Sequence, residues 1–259
     1  MEEFDLNRLR DRASVGDVEA IIALVDYYLN NSEKNKAKLE AERLKYISHP
    51  LAYRKLASLA MSGTFSSPDL SKAKEYFLKA YELGDDASGY NIALLLIKEN
   101  KPEEATIYLS NGVNNNYIPS IKLLTSLYIK GEGVLQDFNI AKSLLNKAYE
   151  LGDDSVITSL GRVSYQMGDY DSAFAYFNVA ASKHDLDAIY YLGLCYAKGF
   201  GTGVNLSKSI FYYEMGANLN EPNCLYNLSL CYRNGIGVGQ NIALADTLLQ
   251  QAIDHGFKK

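Results

Sequence analysis

The stretch "AKGFGTGVN", residues 197–205, sets Gly199, Gly201 and Gly203 at alternate positions, a spacing with which backbone N–H groups can cradle a phosphate. A dinucleotide fingerprint asks for more: Gly-x-Gly-x-x-Gly after a strand and at the opening of a helix. Here Val204 stands where the third glycine belongs, and helical patterns flank the stretch on both sides. The Gly-Lys-Ser/Thr of a Walker loop is absent. The other reactive residue types are scattered. His49, His184 and His255 fall in separate polar linkers, and there is no HExxH, no Gly-x-Ser-x-Gly elbow and no CxxC. Cys224 and Cys231 lie two helical turns apart on one predicted helix, so with Cys195 they read as reduced thiols packed in a core. The acidic pairs Asp85/Asp86 and Asp153/Asp154 open predicted helices, where carboxylates complement the helix dipole. These residues predict no catalytic group, no cofactor-binding group, no metal ligand and no cofactor.

Composition narrows the partners. The 259 residues carry 26 basic and 31 acidic side chains, a net charge of −5, which gives no electrostatic footprint for nucleic acid or an anionic bilayer. The opening "MEEFDLNRLRDRAS" has no apolar run of the kind a secretory signal needs, and the aliphatic run "ALLLI" at 93–97 is too short to span a membrane. The expectation is a cytoplasmic protein with neither a nucleic acid nor a membrane as its partner.

The elements that would position any site emerge from self-similarity. "LGLCYAKGFGTGVNLSKSIFYY" returns downstream as "LSLCYRNGIGVGQNIALADTLL" and upstream as "LTSLYIKGEGVLQDFNIAKSLL". A small residue opening each unit recurs at Ala20, Ala52, Ser88, Ser120, Val156, Ala188 and Cys224, at alternating intervals of 32 and 36 residues. A second small residue follows it at Ala37, Ala73, Ala105, Ala141, Ala173, Ser209 and Ala245. Within each unit, apolar residues at helical spacing, such as Ala188, Leu192 and Tyr196, mark one face of a first helix, and Ala141, Leu144 and Ala148 mark a second. Glycine ends the first helix; Asp137, Asn205 or Asn241 caps the second. The second helices stop where a left-handed residue costs little, at Gly84, Asn116, Gly152, Asn220 and Gly256. Seven units result, starting near residues 18, 50, 86, 118, 154, 186 and 222 of a single repeat domain (18–259). Residues 1–17 form an N-terminal capping helix.

"YIKGEGVLQDFNIAKSLLNKAYELGDD", with its Gly-x-Gly-Val turn, resembles a Sel-one-like repeat. The shorter units resemble the parent tetratricopeptide repeat, as in "LGRVSYQMGDYDSAFAYFNVAASKHD" with Leu160, Gly161, Ala173, Phe177 and Ala180. One unit departs, replacing the Gly-Val turn with "GTFSSPD". The resemblance implies an all-α fold, a right-handed α-solenoid whose first helices line a concave face. It also implies a non-enzymatic interaction module that serves as adaptor, scaffold or regulator. Bacterial signalling scaffolds, secretion-linked adaptors and immunity proteins that cover a toxin's active site are the roles it brings with it. A hydrolase working in the groove is the alternative of another class.

On that concave face the pattern places Arg54, Tyr90, Asn91, Lys122, Arg162, Tyr190, Tyr226, Asn227 and Arg233, a mixture of aromatic bodies and polar handles suited to a protein or peptide partner. The last second-type helix carries Leu244, Leu248, Leu249 and Ile253 with only "FKK" after it, which makes its outer face a candidate homodimer contact.

Overall fold

The computed structural model describes residues 3–258, and among these it contains α-helices and turns but no strand. Helix α1 (Glu3–Ser14) precedes α2 (Val18–Asn30), α3 (Lys34–Leu44), α4 (Pro50–Ser62), α5 (Leu70–Glu82), α6 (Asp86–Lys98), α7 (Pro102–Asn114) and α8 (Ile118–Lys130). Then come α9 (Phe138–Glu150), a 3-10 turn (Asp154–Val156), α10 (Ile157–Gln166), α11 (Tyr170–Ser182), α12 (Leu186–Lys198), α13 (Leu206–Asn218), α14 (Pro222–Asn234) and α15 (Ile242–Asp254). Even-numbered helices are the first, and odd-numbered ones the second, of successive helix-turn-helix units, the architecture of the α-solenoid class.

The helix boundaries follow from local chemistry. Asp137 accepts from the N–H groups of Asn139 and Ile140 at 2.8 and 3.0 Å, and Asn205 and Asn241 do the same for α13 and α15 at 3.0 Å. Each satisfies donors that a helix start leaves without a carbonyl. Four of the first helices are capped likewise, by Asp17, Asp85, Asp185 and Glu221. Gly199 ends α12 at φ 78°, so the glycine stretch is the turn of one hairpin. Its Phe200 stacks on Tyr170, ring centroids 4.2 Å apart, which fastens the turn to the start of α11.

The chain divides into two compact units, the first running to Leu127 and taking in Gly131–Leu135, the second holding Tyr128–Lys130 and Gln136 onward. In the first unit, Leu6 and Ala13 of α1 join Ala20 and Leu24 of α2, Ala37 of α3 and Ala52 of α4 in one buried cluster. In the second, Phe177, Leu192, Tyr213, Leu225, Leu228 and Leu248 form the core, with Ala173 and Ala188 fully buried between them. Each large apolar side chain so buried contributes about 1.5–3 kcal/mol. Glycines on the first helices bring the helix axes close: a Cβ at Gly161 would overlap the Phe177 ring, and one at Gly193 the Tyr213 ring. Cys195, Cys224 and Cys231 are unpaired and buried.

Candidate partner-binding face

In every first helix the small seam residue and the residue four places on turn into the core, which leaves the residues two, three and six places on turned outward. Arg54, Tyr90, Lys122, Tyr190 and Tyr226 share the first of these positions, and Asn91 and Asn227 the second. None of the nine residues expected on this face is buried.

In the first unit a cleft of ≈ 560 Å³ runs over α2, α4 and α6. Arg54 and Asn91 both line it, while Lys122 lies exposed on α8. Its other walls, missed by sequence reasoning, are Glu19, Ile22, Ala23, Asp26, Leu51, Lys55, Ser58, Met61 and Phe77. The signal for two of them was in reach: Ile22 occupies the place of Arg54 one repeat earlier, and Lys55 the place of Asn91. Ile22, Leu51 and Met61 offer apolar surface, and both cations of the walls are paired. Lys55 pairs with Asp26, and Arg54 Nη1 lies 2.8 Å from Asp85 Oδ1.

Asp85 is also the cap of α6, accepting from Ser88 N–H at 2.9 Å, so Arg54 reaches from one first helix to the start of the next. The same link recurs with different chemistry. Tyr90 meets Tyr117, at the start of α8, edge to face with centroids 6.3 Å apart. Burial raises the Tyr117 hydroxyl pKa. In the second unit Tyr226 stacks on Phe257 at 4.1 Å and 15°. Burial pushes the Tyr190 hydroxyl up to about 12, with Tyr191, Tyr165 and the cap residue Glu221 adding to the rise. Tyr190 therefore remains a hydrogen-bond donor at any working pH.

Of the remaining expected residues, Arg162 reaches the next first helix and the others are held within their own hairpin. Arg162 Nη1 sits 3.5 Å from Asp187 Oδ2, and Arg233 pairs with Asp246. Asn91 and Asn227 each donate to the carbonyl one turn earlier, of Ala87 and Asn223. Half-buried Tyr165, Tyr190 and Tyr191 adjoin one another, with Tyr191 5.4 Å from Tyr165 and 5.1 Å from Tyr190, so this unit presents an aromatic face where the first presents charged walls.

Burial pushes the Cys195 thiol up to about 11 and raises Cys224 and Cys231 as well, which holds all three protonated at neutral pH. His49 Nδ1 accepts from Leu51 N–H at 3.2 Å and is a helix cap. Among the described residues no group of three or more His, Cys, Asp or Glu is placed to hold a metal ion. None of their helices is long and apolar enough to cross a membrane.

The outer face of α15 differs from the expectation in detail. Leu248 and Ala252 are buried in the core and Leu244 packs against it, leaving Ile242 and Ile253 about half exposed and Leu249 intermediate.

Comparison with known proteins agrees with this architecture. The Sel1 repeat model matches residues 50–85, 126–153, 159–185, 186–221 and 222–257, more than half of the chain. Among solved structures, a protective antigen of uropathogenic Escherichia coli strains that displays an SLR fold aligns with a TM-score of 0.75 and 19% identity. The alignment covers 96% of this chain and 58% of that one. A Sel1 repeat protein from Oxalobacter formigenes aligns with a TM-score of 0.68 and 21% identity over 90% of this chain and 96% of that one. At such identities the likeness concerns the fold alone. A mouse protein, DAP3-binding cell death enhancer 1, is 36% identical over 70 residues, which is 27% of this chain and 14% of that protein.

Proposed function

This chain belongs to the Sel1 repeat family, and we propose that it is a non-enzymatic interaction module that holds a partner protein or an extended peptide on its first-helix faces. The observation that carries the reading is the open cleft over α2, α4 and α6, with its apolar floor and charged walls. Repeat proteins of this class work by pre-organisation: a surface already fixed by packing loses little entropy on binding, so modest contacts suffice. The name of the mouse relative records a protein partner for that protein, which is in keeping with the reading.

The test is capture from the source lysate by the purified protein, repeated with Ile22→Asp and with Tyr190→Ala. Loss of one specific partner with helicity retained supports the reading; retention of that partner by both variants moves the site off these faces. An immunity role is a special case, separated from scaffolding by whether the captured partner loses its own activity. We place the activity in the bacterial cytoplasm, in keeping with three unpaired buried thiols, and assign it no nucleic-acid partner, given the net charge of −5. A homodimer through Ile242, Leu249 and Ile253 of α15 predicts a concentration-dependent mass in sedimentation that Ile253→Lys abolishes.

A further inference from the structure

We propose that the first unit carries a second site, separate from the first-helix face, that binds a small carboxylate with an apolar body in a pocket beside the α4–α5 turn. One residue of the pocket sets its turn apart from the sibling turns. Three other hairpin turns place a glycine two residues past the glycine that ends the first helix: Gly133, Gly201 and Gly237. Each of these turns lies directly on the first residue of the preceding second helix. A Cβ at Gly133 or Gly201 would fall within 3.0 Å of the backbone of Pro102 or Tyr170, and one at Gly237 would sit 3.0 Å from Leu206 Cβ. In the α4–α5 turn the equivalent residue is Phe65, in "GTFSSPD".

Phe65 packs against the buried cluster of Val25, Ala41 and Leu59, and between residues 38–45 of α3 and this turn the structure has a pocket of ≈ 200 Å³. Ala41, Leu56, Leu59, Ala60 and Phe65 give it an apolar lining. Its rim carries Lys38, Lys45 and Lys72 with Glu42 and Asp69. Both carboxylates are engaged, Glu42 with Lys45 and Asp69 with the Lys72 backbone N–H at 2.9 Å as the cap of α5. Lys38 and Lys72 form no ion pair among the described residues, so the rim presents two ammonium groups over an apolar hollow. That combination selects a short acyl or aryl group bearing an anionic head, since an apolar body fills the lining and only a negative head is matched by the lysines.

Octanoate, 1-octanol and octylammonium, titrated against the protein by displacement of 8-anilinonaphthalene-1-sulfonate, test this. Octanoate is expected to displace the dye at concentrations about ten-fold lower than octylammonium does, and a Lys38→Ala/Lys72→Ala variant is expected to remove that preference while leaving octanol unchanged. Phe65→Gly strips an aromatic wall from the pocket and is expected to weaken displacement by all three with helicity retained. Ala60→Leu fills the pocket directly and is expected to abolish displacement by all three. Equal displacement by octanoate and octylammonium overturns the proposal, as does no displacement at all, or octanoate binding unchanged in the lysine variant or in Ala60→Leu. None of these outcomes depends on the first-helix face, so capture of a partner there stands or falls separately.

Discussion

Replacing Gly193 by alanine measures how closely the two helices of one hairpin are packed. An alanine inside a helix is ordinarily better than a glycine by about 0.5–1 kcal/mol, because the glycine loses more backbone entropy on folding. Gly193 sits mid-helix in α12, so propensity alone predicts a gain. Packing predicts the reverse: the added Cβ would lie 2.6 Å from Tyr213 Cδ1 and 3.1 Å from Cζ, where ordinary contact begins near 3.4 Å. Tyr213 is only 2% exposed and belongs to the same core as Phe177, Leu192 and Leu225, so its ring has no vacant direction in which to swing. Overpacking of this kind costs about 1–3 kcal/mol, and after subtracting the propensity gain roughly 1–2 kcal/mol of destabilisation is left. With a urea dependence of about 2 kcal/mol/M, the unfolding midpoint followed by far-UV circular dichroism falls by roughly 0.5–1 M. Gly203→Ala is the control: nothing lies within 4 Å of its Cβ, and its midpoint should stay put. A Gly193→Ala midpoint equal to or above wild type would refute the close packing of α12 on α13.

Other outcomes follow from single contacts. Phe257→Ala removes the ring stacked on Tyr226 and should cost about 0.5–1.5 kcal/mol beyond the area it buries, with hydrogen exchange accelerating in α15. Asp169 is held below the ordinary aspartate value of 3.8 by the ammonium of Lys142 and the hydroxyl and N–H of Ser172. Its contribution to stability is therefore complete above 3.8 and is lost as pH falls through its lower folded value; carboxyl NMR should place its midpoint below 3.8 and move it upward in Lys142→Met. Burial holds the Cys195 thiol up to about 11, so iodoacetamide at neutral pH should leave all three cysteines unlabelled in the native protein and label all three in urea.

What could be read from the sequence, and what could not, divides along a physical line. Interactions within one hairpin recur at fixed short offsets, and these were legible: Asp137, Asn205 and Asn241 as caps, Gly199 as a helix end, the small residues at the seam. Links that run a whole repeat further along the chain depend on how helices stack, and no short offset announces them. Arg54 reads as a groove anchor in the sequence, yet its guanidinium rests on Asp85, 31 residues away. Tyr226 reads as a free aromatic, yet Phe257, which the sequence shows only as part of a polar tail, covers one face of its ring. A search for complementary types one repeat further along the chain, charge with charge and ring with ring, would have found both. "GTFSSPD" was visible as a departure, but the hollow that its Phe65 lines is built with residues of α3, α4 and α5 that only packing brings together.

The links between first helices bear on where specificity lies. A residue two places past the seam that is fastened to the next cap, as Arg54 is to Asp85, has one side committed to the fold and the other to the groove. Its removal would loosen the stacking of two repeats as well as strip a contact, so a lost partner in Arg54→Ala cannot by itself be assigned to binding. Lys55 and Arg162 carry the same double duty, paired with Asp26 on α2 and Asp187 on α12, but not every outward residue does. Lys55, Ser58 and Asn91 line the cleft of the first unit, and Tyr191 with Arg162 lies on the face of the second. Asn91 illustrates the difference: its amide is anchored to Ala87 on its own helix, so changing it to alanine leaves the neighbouring repeats in place. Discrimination between partners should therefore respond to Asn91→Ala without a change in unfolding midpoint, whereas Arg54→Ala should change both. A shared response in the two variants would mean that the face binds through its stacking geometry and not through these side chains.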